Sequence, residues 1–150
     1  AVAQIKDGIA PEEICNLIAD FLPPTFDEVL WIVVWPQFYS KMPAQDRMPY
    51  VEDIVKSCQQ HGIKTGISSE SYGWEATFGS TKAGSKVLSA VPLWYTNTNK
   101  ADKMANQPNF DDFKNAGFGT WKKPSVKLYD FGNRSPDGFQ MNYNYYEGKK

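Results

Sequence analysis

The segment from Glu28 to Pro36, EVLWIVVWP, constrains the fold more than any other part of the chain. It is a nearly unbroken series of β-branched, apolar and aromatic residues, which favours a strand, and its final proline cannot continue a ladder. Because apolar and polar residues do not alternate, we expect both faces of this strand to be buried, as in a central parallel strand covered by helices. No side chain from Val29 to Trp35 ionises, so the strand offers no acid, base or metal ligand.

Three helices are predicted around this strand. The first covers residues 11–21, because a proline and two glutamates open it and apolar residues recur at helical spacing. We expect those apolar residues to face the core as one stripe, namely Ile14, Leu17, Ile18 and Phe21. A second helix is predicted for residues 49–60, beginning at Pro49, and a short third one is capped by Ser69 and ends at Phe78.

Strand-like segments lie between and after these helices, at residues 63–69, 91–95, 125–129 and 139–145. This alternation predicts an α/β fold with a mostly parallel sheet, helices outside it and antiparallel strands at the end of the chain. A single domain spanning residues 1–150 is expected, with a packed loop at residues 96–123. In such folds the functional site lies at the carboxyl ends of the strands.

Charge and composition argue against several kinds of partner. The chain has 16 basic and 17 acidic residues, so we expect neither nucleic acid nor an anionic membrane surface as a partner. No apolar run approaches the roughly 20 residues that cross a bilayer, and the first residues do not resemble a signal sequence. The chain is therefore cytosolic, or a leader has been removed. With one histidine and two widely spaced cysteines, we predict neither a metal nor a cofactor.

Five fragments carry a resemblance to a known family. They are, in order, WIVVWPQF, GISSESYGWEATFG, LWYTN, FDDFKNAGFGTWKKPSVKLYD and GFQMNYNYYEG. Together they resemble the family 25 glycoside hydrolases, which are lysozymes with a modified β/α-barrel, over about residues 11–148. The resemblance implies an incomplete barrel, since the family's first strands have no counterpart before Ala1. It also implies a secreted, extracellular or endolysosomal location.

The resemblance places no carboxylate at the family's catalytic positions. The D-x-E motif of the family falls on Val33 and Trp35, and the aspartate of its last strand falls on Asn142, whose amide cannot hold a proton at neutral pH. Glycoside hydrolysis ordinarily requires two positioned carboxyl groups, so we predict no catalytic residue. The alternative is a relocated pair, Glu70 and Asp130, which follow strand ends. Against it, Glu70 is expected to cap a helix and Asp130 to open a turn.

Aromatic and amide side chains near the strand ends are candidates for binding a glycan, with core packing as the competing interpretation. They are Trp35, Tyr95, Asn97, Asn142 and Tyr143.

Two sites of covalent modification are also predicted. Cys15 and Cys58 fall on the first two helices and are compatible with one disulfide or two buried thiols. The oxidising compartment that the resemblance implies favours the bridge. Asn133 begins an N-R-S acceptor for glycosylation, although the following proline disfavours its use.

Three functions remain open from the sequence. They are a non-catalytic lysozyme-like protein with a structural or assembly role, a saccharide-binding module, and an active muramidase that uses Glu70 and Asp130. Because residues 1–10 look too short to cover the apolar strand of residues 29–35, we also expect a homo-oligomer, a filament or a tight hetero-complex with an apolar interface beside that strand.

Overall fold

A computed structural model describes residues 1–5, 7–97, 102–134 and 140–147 of the chain, with the backbone alone for residues 130–134, 140 and 141. Six strands form one curled, mostly parallel sheet that makes half of a barrel, with helices around it. The predicted fold class, an incomplete β/α-barrel, is confirmed.

The strands follow one another across the sheet in chain order. They are β1 (Val2–Ala3), β2 (Leu30–Val33), β3 (Thr65–Glu70), β4 (Leu93–Thr96), β5 (Val126–Arg134) and β6 (Gln140–Tyr145). The first five are parallel, and β6 runs antiparallel to β5, as expected for the end of the chain. The carboxyl ends of the parallel strands therefore share one edge of the sheet.

The helices are α1 (Pro11–Phe21), α2 (Ala44–Gln60), α3 (Ser71–Phe78) and α4 (Phe113–Ala116). The predicted start of α2 at Pro49 is wrong, because Pro49 lies inside the helix. A proline there removes one helical hydrogen bond. Packing outweighs that loss, since α2 buries Val51, Ile54, Val55 and Cys58 against the core.

The two faces of β2 differ. Val34, just after the strand, is fully buried like its alternating neighbours Leu30 and Ile32, whereas Trp31, Val33 and Trp35 are only partly buried. The first set lies under the helices and the second lines the concave face of the sheet. The prediction that both faces are buried is wrong for the concave face, because a half-barrel has no opposing strands to fill its interior.

The N-terminal residues supply a strand that the sequence analysis missed. Val2 pairs with Trp31 and Ala3 with Ile32, and the Trp31 amide donates to the Ala1 carbonyl at 2.9 Å. The expectation that residues 1–10 are too short to cover the strand of residues 29–35 is therefore corrected in one respect, because they supply one neighbouring strand. Two paired residues place β2 inside the sheet and leave β1 at its edge.

The apolar stripe of α1 also differs from the prediction. Ile14 and Cys15 are buried, but Leu17 is 57% exposed and Phe21 is 90% exposed. The Cys15–Cys58 disulfide joins α1 to α2 and determines which side of α1 faces inward. Leu17 and Phe21 therefore form an apolar surface outside the core.

Candidate functional site

The concave face forms a pocket of about 460 Å³ at the carboxyl ends of the strands. Strand register explains how its residues meet, since Val33 pairs with Ser68, Glu70 with Thr96, and Thr96 with Leu128. The pocket is lined by Val33, Val34, Trp35, Ser68, Ser69, Glu70, Thr96 and Leu128. It lies where the family resemblance puts a catalytic centre, and it is bordered by both mapped positions, Val33 at the end of β2 and Trp35 two residues later.

Glu70 is the only ionisable residue in the described lining of this pocket. Glu70, and not the predicted Ser69, occupies the N-cap position of α3, and its side chain makes no capping hydrogen bond there. Asp130 lies within β5 opposite Tyr143, so the interpretation that it opens a turn is wrong. The side chain of Asp130 lies outside the described part of the chain, and the pairing of the two carboxyl groups stays a prediction.

Trp35 and Tyr72 form an aromatic corner beside the pocket. Their ring centroids are 5.9 Å apart with an edge-to-face angle of 61°, and Tyr72 is 66% exposed. The indole of Trp35 lies against Gly73, where a Cβ atom would sit 2.6 Å from a ring carbon. Sequence reasoning missed Tyr72. A glycine inside α3, which lowers helix propensity, was the available signal of this close approach.

Two further tryptophans cover the concave face nearer the start of the strands. Trp31 lies on Gly66, where a Cβ atom would be 2.6 Å from the ring, and it meets Trp94 edge to face at 5.5 Å. The Trp94 indole nitrogen donates to Asn144 Oδ1 at 3.0 Å. These contacts hold β2, β4 and β6 together across the concave face of the sheet.

Tyr95 and Asn97 do not line this pocket, but they border a neighbouring cavity of about 350 Å³ together with Glu70 and Tyr72, so their role in binding a glycan stays a prediction. Tyr95 is fully buried and Asn97 is 9% exposed. Their hydroxyl and amide groups donate to Asp112 Oδ2 at 3.0 and 2.9 Å. Side chains alternate along β4, so Tyr95 points toward the helices while Trp94 and Thr96 line the concave face.

Lys127 completes the buried cluster around Asp112. Its ammonium group donates to Asp112 Oδ1 at 2.8 Å and to the carbonyls of Met104 and Gln107 at 3.0 and 3.1 Å. Burial, followed by the nearby negative charge of Asp112, raises the pKa of Tyr95. The cluster has its donors and acceptors matched, which favours a structural role in anchoring the loop after β4.

The last two glycan candidates lie on β6. Tyr143 is 39% exposed, and its ring centroid is 6.2 Å from that of Tyr129. Alternation places Asn142 on the same face as Asn144, which contacts the concave side through Trp94. Of the five predicted residues, only Trp35 and Asn142 therefore share the concave face.

The two covalent predictions have different outcomes. The structure joins Cys15 and Cys58 in a disulfide with Cα atoms 5.1 Å apart, and both residues are fully buried. The side chain of Asn133 lies outside the described residues, so its glycosylation stays a prediction. No group of three or more potential metal ligands occurs among the described residues.

The family model described as lysozyme-like protein 1 matches residues 25–129. The chain belongs to the lysozyme-like family. The predicted resemblance to family 25 lysozymes is confirmed, and the match covers Val33, Trp35 and Glu70 but ends before Asn142. None of the described helices of this lysozyme-like chain is long and apolar enough to span a membrane.

Curated relatives of this lysozyme-like chain have different names. Lysozyme-like protein 7 of Caenorhabditis elegans is 33% identical over 107 residues, which cover 67% of the chain and 34% of the relative. Counting factor 50 of Dictyostelium discoideum is 30% identical over 101 residues, with 67% and 30% covered. Probable GH family 25 lysozyme 3 of the same organism is 31% identical over 99 residues, with 66% and 18% covered. The chain thus spans about a third or less of their length. No solved structure matches it.

Proposed function

We propose that this lysozyme-like chain does not hydrolyse glycans and has a structural or assembly role. The observation that carries the proposal is the pocket at the end of β2, where Val33 and Trp35 occupy the positions mapped to carboxylates. Glu70 is the one carboxylate in its described lining. Hydrolysis of a glycosidic bond needs two such groups, and loss of the general acid or base alone slows it about 10²–10⁴-fold.

Clearing of bacterial cell-wall suspensions tests the catalytic part of the proposal. The purified chain is expected to give no more clearing than buffer does. An active lysozyme, measured in parallel, is the positive control and should clear the suspension. Clearing by the wild type that disappears in Glu70→Gln or Asp130→Asn would overturn the proposal and identify the relocated pair. Glu12→Gln, at an exposed carboxylate on α1 that lines neither this pocket nor the neighbouring cavity, is the matched control.

Family membership does not assign catalysis, because the relatives range from a probable GH family 25 lysozyme to a counting factor. We propose a secreted or endolysosomal location for this chain, which the buried Cys15–Cys58 disulfide supports because such bridges persist in oxidising compartments. The assembly part of the proposal expects the chain to associate with copies of itself.

Saccharide binding without hydrolysis is a second candidate, favoured by the aromatic corner of Trp35 and Tyr72. A partly buried indole beside the hydroxyls of Ser68 and Thr96 offers a sugar ring one apolar face and nearby hydrogen-bonding groups. Titration with soluble cell-wall fragments tests it. Binding that Trp35→Ala removes and Tyr146→Ala retains would support it, and absence of binding to the wild type would overturn it.

A further inference from the structure

One face of α1 carries an exposed patch that we call the acidic knob, formed by Glu13, Leu17, Asp20 and Phe21. Leu17, Asp20 and Phe21 lie four, seven and eight positions after Glu13, so all four residues share one side of the helix. Phe21 is 90% exposed and Leu17 57% exposed. Within the described residues, neither Glu13 nor Asp20 forms an ion pair.

Asp20 is placed unfavourably for the isolated helix. It lies in the last turn of α1, which has no basic residue, and a carboxylate there faces the negative end of the helix dipole. A highly exposed phenylalanine beside it also contributes nothing to the core. The knob therefore combines apolar area with negative charge at a position where neither stabilises the monomer.

A second surface has the opposite character, and we call it the basic groove. Two adjoining cavities of about 730 and 220 Å³ share Phe110, Lys122, Lys123 and Glu147. Aromatic and proline side chains provide apolar walls, and lysines provide the charge. The groove is lined by Phe110, Trp121, Pro124, Lys114, Lys122 and Lys123, with Asp111 and Glu147 as its acidic members.

The charge of the groove is only partly neutralised. Glu147 pairs with Lys123 at 2.7 Å. Among the described residues, no carboxylate lies within ion-pair distance of Lys122 or Lys114. Three lysines against two carboxylates leave the groove positive, so it suits an apolar side chain flanked by carboxylates.

Both surfaces lie at the end of the sheet where the parallel strands begin. Asn16 Oδ1 on α1 is 2.7 Å from His61 Nε2, and His61 separates α2 from β3. The groove is built from residues 89–92, before β4, and residues 120–125, before β5. Two copies that face each other through this end can therefore make the same contact twice, as a twofold dimer requires.

We propose that the acidic knob of one copy docks in the basic groove of a second copy. The inference rests on the assembly part of the proposed function and names its surface and partner. Phe21 is the apolar anchor, and Glu13 and Asp20 meet the lysines of the groove. A buried aromatic anchor ringed by charges is a common arrangement for the residues that dominate an interface.

Sedimentation velocity at micromolar concentration tests this contact. The wild type is expected to exceed the 17.0 kDa of one chain. Phe21→Ala and Lys122→Glu are each expected to weaken association at least tenfold. Lys86→Glu, an exposed lysine outside the groove, is the matched control and should associate as the wild type does. Thermal unfolding of each variant checks that these surface changes leave the fold intact.

A charge-swap mixture separates this contact from a general effect of charge. Asp20→Lys and Lys122→Glu should each associate poorly alone and better when mixed. In the mixture the altered knob of one variant meets the altered groove of the other, and these two surfaces again carry opposite charges. A monomeric wild type would overturn the inference and leave the cell-wall assay to decide catalysis. An associating wild type that tolerates every groove and knob variant would overturn this contact while keeping assembly.

Discussion

Lys127 is the residue on which the loop after β4 most depends. Its ammonium group and the Asp112 carboxylate are both fully buried. Lys127→Met would leave the carboxylate without its cation, and breaking a buried ion pair in this way costs about 3–5 kcal/mol. Urea unfolding should show this loss, whereas Lys114→Met, at an exposed lysine nearby, should change the free energy of unfolding by less than about 0.5 kcal/mol. A cost below about 1 kcal/mol for Lys127→Met would contradict the assignment.

Two buried tyrosines predict that the protein loses stability at high pH. Burial raises the pKa of Tyr39 and of Tyr95 above the ordinary value of 10.0. A raised pKa in the folded state means that stability is complete below about pH 10 and falls as pH rises further, by up to about 1.4 kcal/mol per pH unit for each tyrosine. Absorbance at 295 nm should show both tyrosinates forming only with unfolding. Their titration in the folded protein near pH 10 would refute the prediction.

The residues of the pocket show what sequence alone could and could not assign. The alternation in LWYTN places Tyr95 and Trp94 on opposite faces, but which face is concave depends on where the helices pack. Trp35 was correctly placed at a strand end, while its contact with Gly73 joins two elements whose approach no local pattern encodes. The contacts of Tyr95 and Asn97 with Asp112 join residues 17 and 15 positions apart, which no local pattern in LWYTN encodes.

At the scale of elements, the disulfide between α1 and α2 should contribute much of the local stability. It closes a loop with a sequence separation of 43. In the chain-entropy description such a loop is worth about 4 kcal/mol, so the double variant Cys15→Ser, Cys58→Ser should unfold at markedly lower denaturant. The same loss is expected for the wild type unfolded in the presence of a reductant. Equal midpoints with and without reductant would contradict it.

The sequence predicted where helices begin and end better than it predicted which side of a helix is buried. Proline and two glutamates located the start of α1, and Gly79, with φ of 84°, ends α3 where expected. The stripe of α1 was wrong at Leu17 and Phe21, since helical spacing identifies an apolar face without saying what covers it. The predicted start of α2 at Pro49 was too late, because tertiary packing outweighs the helical hydrogen bond that a proline inside the helix removes.

At the scale of the molecule, restoring the family's carboxylates should not restore hydrolysis. Val33→Asp with Trp35→Glu would place two acids on a partly buried face beside Glu70, where carboxyl groups tend to stay protonated. Loss of the indole from Gly73 would also leave a void, at a cost of about 3–5 kcal/mol. We expect no clearing of cell walls and a lower unfolding midpoint. Clearing by the double variant would show that the half-barrel retains the rest of an active site.

The matched control for this experiment is Val33→Asn with Trp35→Gln, which has nearly the same shape without the charge. If both double variants lose the same stability, the void accounts for the loss. A larger loss in the acidic variant would measure the cost of placing carboxylates on the concave face.

The order of the strands bears on how the chain folds during synthesis. Every neighbour in the sheet is also a neighbour in sequence, from β1 to β6. Each strand can therefore pair with the one made just before it, as soon as the segment that connects the two strands has been made. Lys127 on β5 reaches back to Met104 and Asp112 in the loop that precedes this strand. The loop that carries them cannot complete its buried ion pair until β5 has left the ribosome, although most of its own residues are made earlier.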